Sequence, residues 1–409
     1  MDRRLNKAVL LFFVFLFIFI AVMLISEYKN INKLIIDYPD LPQEAYDLRK
    51  DNLIVWSIGL ILQFLIPILF LTSRLSQRIS TWAGRKGGII KAGILYGIVF
   101  FTLVFLISLP LNYYSSFILR HKYGLTSQTI IRWLELNIKS FVVNDLVLAL
   151  FIWIPYYIIY RSPRSWWLQI GILLIPIVIF VVFISPMYID PIFNQYTSIE
   201  DEVLGGKIGL LLEKADISDA DIYMVDKSRD TNTMNAYMTG IYKSKRIVLW
   251  DTTINNLDEA EVLAISAHEI GHYVEGHILK NILYVCIGNF LLLYLVYISS
   301  NWILDKSNLR FGFKNLYNYA SLPLLILLIN LYTFLGNPIY NYVSRSMEVV
   351  ADRYEIVMTK DREAAISAME KLYHKNLGLP RQSTLYKIWY NSHPNLEERV
   401  HFYSNYKIE

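Results

Sequence analysis

Leu263-Ala264-Ile265-Ser266-Ala267-His268-Glu269-Ile270-Gly271-His272 is the stretch on which the reading of this chain turns. On a helix, the pattern H-E-x-x-H sets His268 and His272 four residues apart, hence on one face, where both can bind a single Zn²⁺. Glu269 beside them has the chemistry of a general base for hydrolysis. A shuffled chain of this composition would hold such a pattern roughly 0.01 times. The plainer alternative is two surface histidines on an ordinary helix. Leu263, Ala264, Ile265, Ala267 and Ile270 make the helix apolar, so its histidines are expected to be buried and to need polar partners.

Working outward, the motif lies in a chain that is 55% hydrophobic and only 18% charged. A soluble globule holds less apolar and more charged residue than this. The excess sits in runs at residues 8–25, 53–71, 89–109, 142–160 and 166–184, then 282–299 and 319–335 after the motif. Each approaches the ~20 residues that cross a hydrocarbon core. The first run follows Arg3, Arg4 and Lys7 and precedes Ser26-Glu27-Tyr28 instead of a small-residue cleavage site, so a retained membrane helix is expected. Net charge is +4, and no basic block with interleaved aromatics appears, which argues against nucleic acid. Cys286 is the single cysteine, excluding an internal disulfide or a thiolate metal cluster. Nothing in the patterning bears on oligomeric state.

Between the fifth and sixth runs lies a polar stretch with helical spacing at 204–215 and strand-like segments at 221–225, 246–250 and, as a third, 234–239. Lys243-Ser244 is placed to turn between the last two. Asp258 or Asn256 can cap the motif helix. The 246–250 segment is open to two readings, a core strand or an edge that pairs with an extended substrate. Gln63, Asn289 and Asn330 fall near mid-span, where interhelical hydrogen bonding is expected.

A catalytic zinc needs a third protein ligand and an open position. The later histidine of a metzincin would fall at 278, where this chain has Ile278. His277, nine residues past His268, faces the far side of an unbroken helix and reads as a packing or surface residue. The other source is Ser344-Arg345-Ser346-Met347-Glu348-Val349-Val350-Ala351-Asp352-Arg353, where Glu348 and Asp352 share a face. One carboxylate would ligate while the other takes an imidazole N–H. Spacing alone leaves Glu348 and Glu355 equally placed, and a solvated polar stripe of Arg345, Glu348, Asp352 and Glu355 is the plainer reading.

Taken in order, DPIFNQYTSIED (190–201), NAYMTG (235–240), KRIVLWDT (245–252), SAHEIGH (266–272), SRSMEVVADRYE (344–355) and SHPNLEERV (392–400) resemble the type 1 CaaX prenyl proteases, membrane zinc metallopeptidases related to the bacterial heat-shock protease HtpX. The resemblance implies a mainly α, polytopic seven-helix protein around a water-filled chamber, with a small gluzincin-like α+β zinc-peptidase region. One Zn²⁺ would be held by His268, His272 and Glu348, with Asp352 supporting a ligating imidazole, Glu269 as base, and Asn235 and His393 lining the active site. The expected organisation is a five-helix region over 1–189, a first peptidase part over 190–280, two further helices over 281–337 and a second peptidase part over 338–409. The expected activity is peptide-bond hydrolysis in the bilayer of the cell membrane, on membrane-associated, CaaX-like or prenylated peptides or damaged membrane proteins. The alternative is a polypeptide transporter or chaperone-like membrane protein with structural zinc. The resemblance also implies a zinc site on the cytoplasmic side, whereas 13 Arg or Lys against 8 in the alternating short segments favour a cytoplasmic N-terminus and the reverse placement.

Overall fold

Seven helices long and apolar enough to span a bilayer organise the chain: Val9–Asp37, Gln43–Thr72, Ile89–Lys122, Ile130–Arg161, Trp166–Ile192, His277–Ser307 and Tyr319–Thr359. They come from a computed structural model that describes residues 3–199, 201–241, 244–307 and 309–407; Lys243 of the expected turn lies outside the described residues. Six of the seven apolar runs fall within one of these helices, and the first, 8–25, begins one residue before its span. The fifth and sixth spans bury only 11% of their most apolar windows, whereas the seventh buries 44% and is the hub of the bundle.

Small residues let the spans meet closely, as they must where water expulsion contributes little. A Cβ added at Gly97 would lie 2.9 Å from the Cα of Ala149, so the third and fourth spans touch backbone to backbone. Around that contact Phe70, Tyr96, Phe100, Tyr156 and Trp166 form a buried aromatic core. Asn330 makes the expected interhelical bond, donating from Nδ2 to the Gln63 carbonyl at 3.0 Å. The exposed Gln63 side chain lines a cavity of about 500 Å³ with Ser108, Asn112 and Asn337, a polar lining inside an apolar bundle.

The α+β region holds a four-stranded sheet: β1 Tyr196–Ser198, β2 Asp221–Val225, β3 Ala236–Thr239 and β4 Arg246–Trp250, in spatial order β1-β2-β4-β3. β4 runs parallel to β2 and antiparallel to β3, so both of its edges are used. This corrects the reading of residues 246–250 as a strand open to substrate: the free edge on that side is β3. A second core of Leu204, Ile208, Ile247, Leu249, Ile265 and Met369 joins the sheet to the flanking helices.

The seventh span does not stop at the membrane. Leu322–Thr359 is one helix of 38 residues, passing through Pro338. Proline cannot donate to the carbonyl one turn back. Trp389 supplies the missing donor, its Nε1 bonding the Phe334 carbonyl at 3.1 Å. Asn341 Nδ2 returns a bond to the Trp389 carbonyl at 2.7 Å, tying this helix to the short helix Thr384–Tyr390.

Candidate metal centre

The motif lies on the helix Glu259–Val274, whose start is set by a capping box in which Asp258 and Glu261 satisfy each other's backbone N–H groups. Lys371 reaches both carboxylates, at 3.0 Å to Asp258 and 2.8 Å to Glu261. The helix is packed against the last third of the long helix Leu322–Thr359. Gly271, inside the HEIGH stretch, permits the approach: an added Cβ would stand 2.9 Å from the Cβ of Tyr354.

Three donors converge across that contact. His268 Nε2 and His272 Nε2 lie 3.1 Å apart. Glu348 Oε2 is 3.4 Å from the first and Glu348 Oε1 is 3.3 Å from the second. Tetrahedral coordination with bonds near 2.0–2.1 Å has edges of about 3.3 Å, so these spacings suit a small cation with a fourth position open. Glu348 Oε2 is buried without a hydrogen-bond partner, an orphan carboxylate oxygen that a cation would satisfy. The chemistry of the donor set fits a divalent metal.

The far sides of both imidazoles are also held. Asp352 Oδ1 lies 3.0 Å from His268 Nδ1. Asp352 in turn accepts from Arg399 Nε at 3.1 Å and from Arg399 Nη2, and its Oδ1 lies 2.9 Å from the Tyr403 hydroxyl oxygen. Tyr403 and Arg399 both come from the capped helix Leu396–Asn405, one turn apart. Glu355 accepts from Tyr403 and lies 3.6 Å from His268 Nδ1, behind the imidazole and away from the converging Nε2 atoms. Burial alone would lower the His268 pKa; Asp352, Glu348 and Glu355 outweigh it and raise it well above the ordinary imidazole value. The cluster therefore draws in positive charge.

A cleft of about 330 Å³ opens beside His268, lined also by Asn235, Glu269, Met369, Tyr373 and His393. Burial raises the Glu269 carboxyl above its usual range, with His268 and His272 pulling it back. His393 is exposed, its Nε2 3.3 Å from Glu348 Oε1. Asn235 sits just before β3. Its Oδ1 accepts the Ala236 N–H at 2.9 Å, which turns the amide toward the cleft. All seven residues singled out from the sequence are thus brought to one place.

Consecutive stretches match two family descriptions: residues 40–195 match the CAAX prenyl protease N-terminal region of five membrane helices, and residues 199–407 match peptidase family M48. The chain belongs to peptidase family M48. Its M48 relatives include a Bacillus subtilis (strain 168) protein described as an uncharacterized metalloprotease, YhfN, 33% identical over 87% of this chain and 83% of the relative. CAAX prenyl protease 1 homolog of Dictyostelium discoideum is 30% identical over 83% of this chain and 79% of its own length. CAAX prenyl protease 1 of Saccharomyces cerevisiae is 30% identical over 72% and 68%. The crystal structure of S. mikatae Ste24p superposes with a TM-score of 0.83 at 24% identity, covering 95% of this chain and 96% of that one, and so shares the fold. This M48 protein is a multi-pass membrane metalloprotease.

Four residues at the M48 centre were missed or misplaced by sequence reasoning. His277 does not face away from the motif: it is buried with its Nδ1 2.9 Å from His272 Nδ1. Gly276, at φ +66°, separates the motif helix Glu259–Val274 from the helix His277–Ser307, so His277 does not continue the register of His268 and His272. Arg399, inside the quoted 392–400 stretch, Tyr403 and the position of Glu355 behind His268 depend on contacts between distant segments, for which spacing carries no signal.

Proposed function

We propose that this protein is a membrane zinc metalloendopeptidase in which His268, His272 and Glu348 hold one Zn²⁺ and Glu269 is the general base. The observation that carries this reading is the convergence of two Nε2 atoms and a buried carboxylate at 3.1–3.4 Å, facing a cleft that also holds Glu269. When bound, the metal supplies Lewis acidity that polarises a peptide carbonyl and brings the pKa of water toward ~7. Glu269 takes the proton from the attacking water and passes it to the amine released when the C–N bond breaks. His393, exposed at the cleft rim, donates to the oxygen on which charge develops, and Asn235 holds the substrate backbone. Asp352 and His277 each bond the outer nitrogen of a ligating imidazole and so fix its ring and tautomer.

An extended peptide would add to the free edge of β3, which leads from Asn235 into the cleft. The substrates proposed are membrane-associated polypeptides, including CaaX-like or prenylated ones, a class drawn from the names of the relatives. In this reading residues 1–189 and 281–337 form the membrane region, while 190–280 and 338–409 form the peptidase. The protein sits in the cell membrane with its cleft cytoplasmic. A cysteine placed at exposed Lys375, in a Cys286→Ser background, should then react with an impermeant maleimide only after the cells are opened; reaction in intact cells would reverse the orientation.

Glu269→Gln tests the chemistry. It should keep metal, by elemental analysis of the purified protein, and lose about 10²–10⁴-fold in peptide cleavage. Full turnover in this variant would remove Glu269 as base. The transporter or chaperone-like alternative offers no use for a carboxylate placed between two such imidazoles and facing a cleft.

A further inference from the structure

The two ends of the bundle differ in charge. At the metal-centre end five cations are paired with carboxylates: Arg49 with Glu27, Lys50 with Asp47, Lys122 with Asp51, Arg132 with Asp230 and Lys139 with Glu135. At the opposite end, Lys7 and the connections 73–91, 161–165 and 303–318 carry eleven Lys or Arg and one described acidic residue, Asp305. Arg74 and Lys314 are exposed there, with no carboxylate at ion-pair distance among the described residues.

An apolar groove of about 340 Å³ opens at this end between the first, second, sixth and seventh spans. Its walls include Val9, Leu10, Phe13, Leu71 and Leu327, and Arg310 is its single charged lining residue. Arg74 is brought to the same rim, because its Nε donates to the Arg310 carbonyl at 3.0 Å. Leu10 is 64% exposed, so the groove faces outward into the bilayer. Its wall thus offers hydrocarbon contact along the spans and guanidinium groups at headgroup depth.

We propose that this groove binds one anionic phospholipid, an acyl chain lying between the spans and the phosphate held by Arg74 and Arg310. Both halves of the match are needed: the walls accept a chain and offer almost nothing polar, and the rim selects against a headgroup without net negative charge. The site is separate from the cleft that holds Glu269, so its loss leaves peptide cleavage in detergent unchanged.

The full chain, purified in neutral detergent, is titrated with phosphatidylglycerol and phosphatidylcholine, and retained lipid is counted by native mass spectrometry. One phosphatidylglycerol should be held at least about tenfold more tightly than phosphatidylcholine, and Arg74→Glu should erase that preference. Leu10→Trp, which fills the groove from an exposed position, should abolish retention of either lipid. Soluble glycerol phosphate, a headgroup without a chain, should displace nothing. Equal retention of the two lipids, unchanged retention in both variants, or displacement by glycerol phosphate would each overturn the proposal.

Discussion

The helix bearing HEIGH and the helix bearing Glu348 reach the same cleft by different routes. The first is 16 residues long, starts at a capping box, and is surrounded by the peptidase core. Its two histidines share a face because of helical pitch alone. The second is 38 residues long, begins among the membrane spans, and carries its carboxylate to the two imidazoles past Pro338, where Trp389 supplies the donor the proline lacks. Two of the three donors are thus preset by local geometry, and the third depends on how one long helix is rotated and seated against its neighbours.

This difference can be broken by experiment. Glu348→Ala should have the largest effect, loss of bound metal with activity falling to background, while the two histidines stay on their helix. Retention of stoichiometric metal by elemental analysis would move the third ligand elsewhere. Gly271→Val should be next. It forces the two helices apart at Tyr354, costing about 1–3 kcal/mol in thermal unfolding and weakening metal retention against a chelator. A variant that unfolds earlier yet holds metal as before would show that this contact does not set the ligand spacing. The smallest effect belongs to His277→Ala, which leaves all three donors and removes only the partner of His272 Nδ1. Metal affinity should drop about 10–100-fold, measured by chelator competition, with the fold intact by circular dichroism. An unchanged affinity would leave His277 as packing.

Much of this was legible beforehand because it is local. Seven spans follow from apolar runs, the Asp258 cap from its position before an apolar helix, and β2 and β4 from short β-branched segments. The third strand proved shorter than 234–239, since Asn235 is diverted to the Thr253 hydroxyl, which its N–H donates to at 2.9 Å. Of the two readings of β4, the core strand holds and the substrate-pairing edge does not, because the order of strands is a property of the whole sheet. His277 failed for a smaller reason: one glycine at positive φ reset the helical phase. Arg399 was not legible at all. A buried guanidinium is costly unless paired, and its partner Asp352 lies 47 residues away in the chain.

The amino-acid sequence by itself determined that the chain spans a membrane and that two imidazoles with a neighbouring glutamate share one helical face, since both follow from composition and from the 3.6-residue turn. Only the tertiary structure decided which carboxylate of the stripe Glu348, Asp352 and Glu355 faces the Nε2 atoms. All three lie on one side of the long helix, and the choice rests on its rotation about its own axis. That rotation is set by the close contact at Gly271 and Tyr354 and by Tyr403 and Arg399, which claim Glu355 and Asp352 from behind.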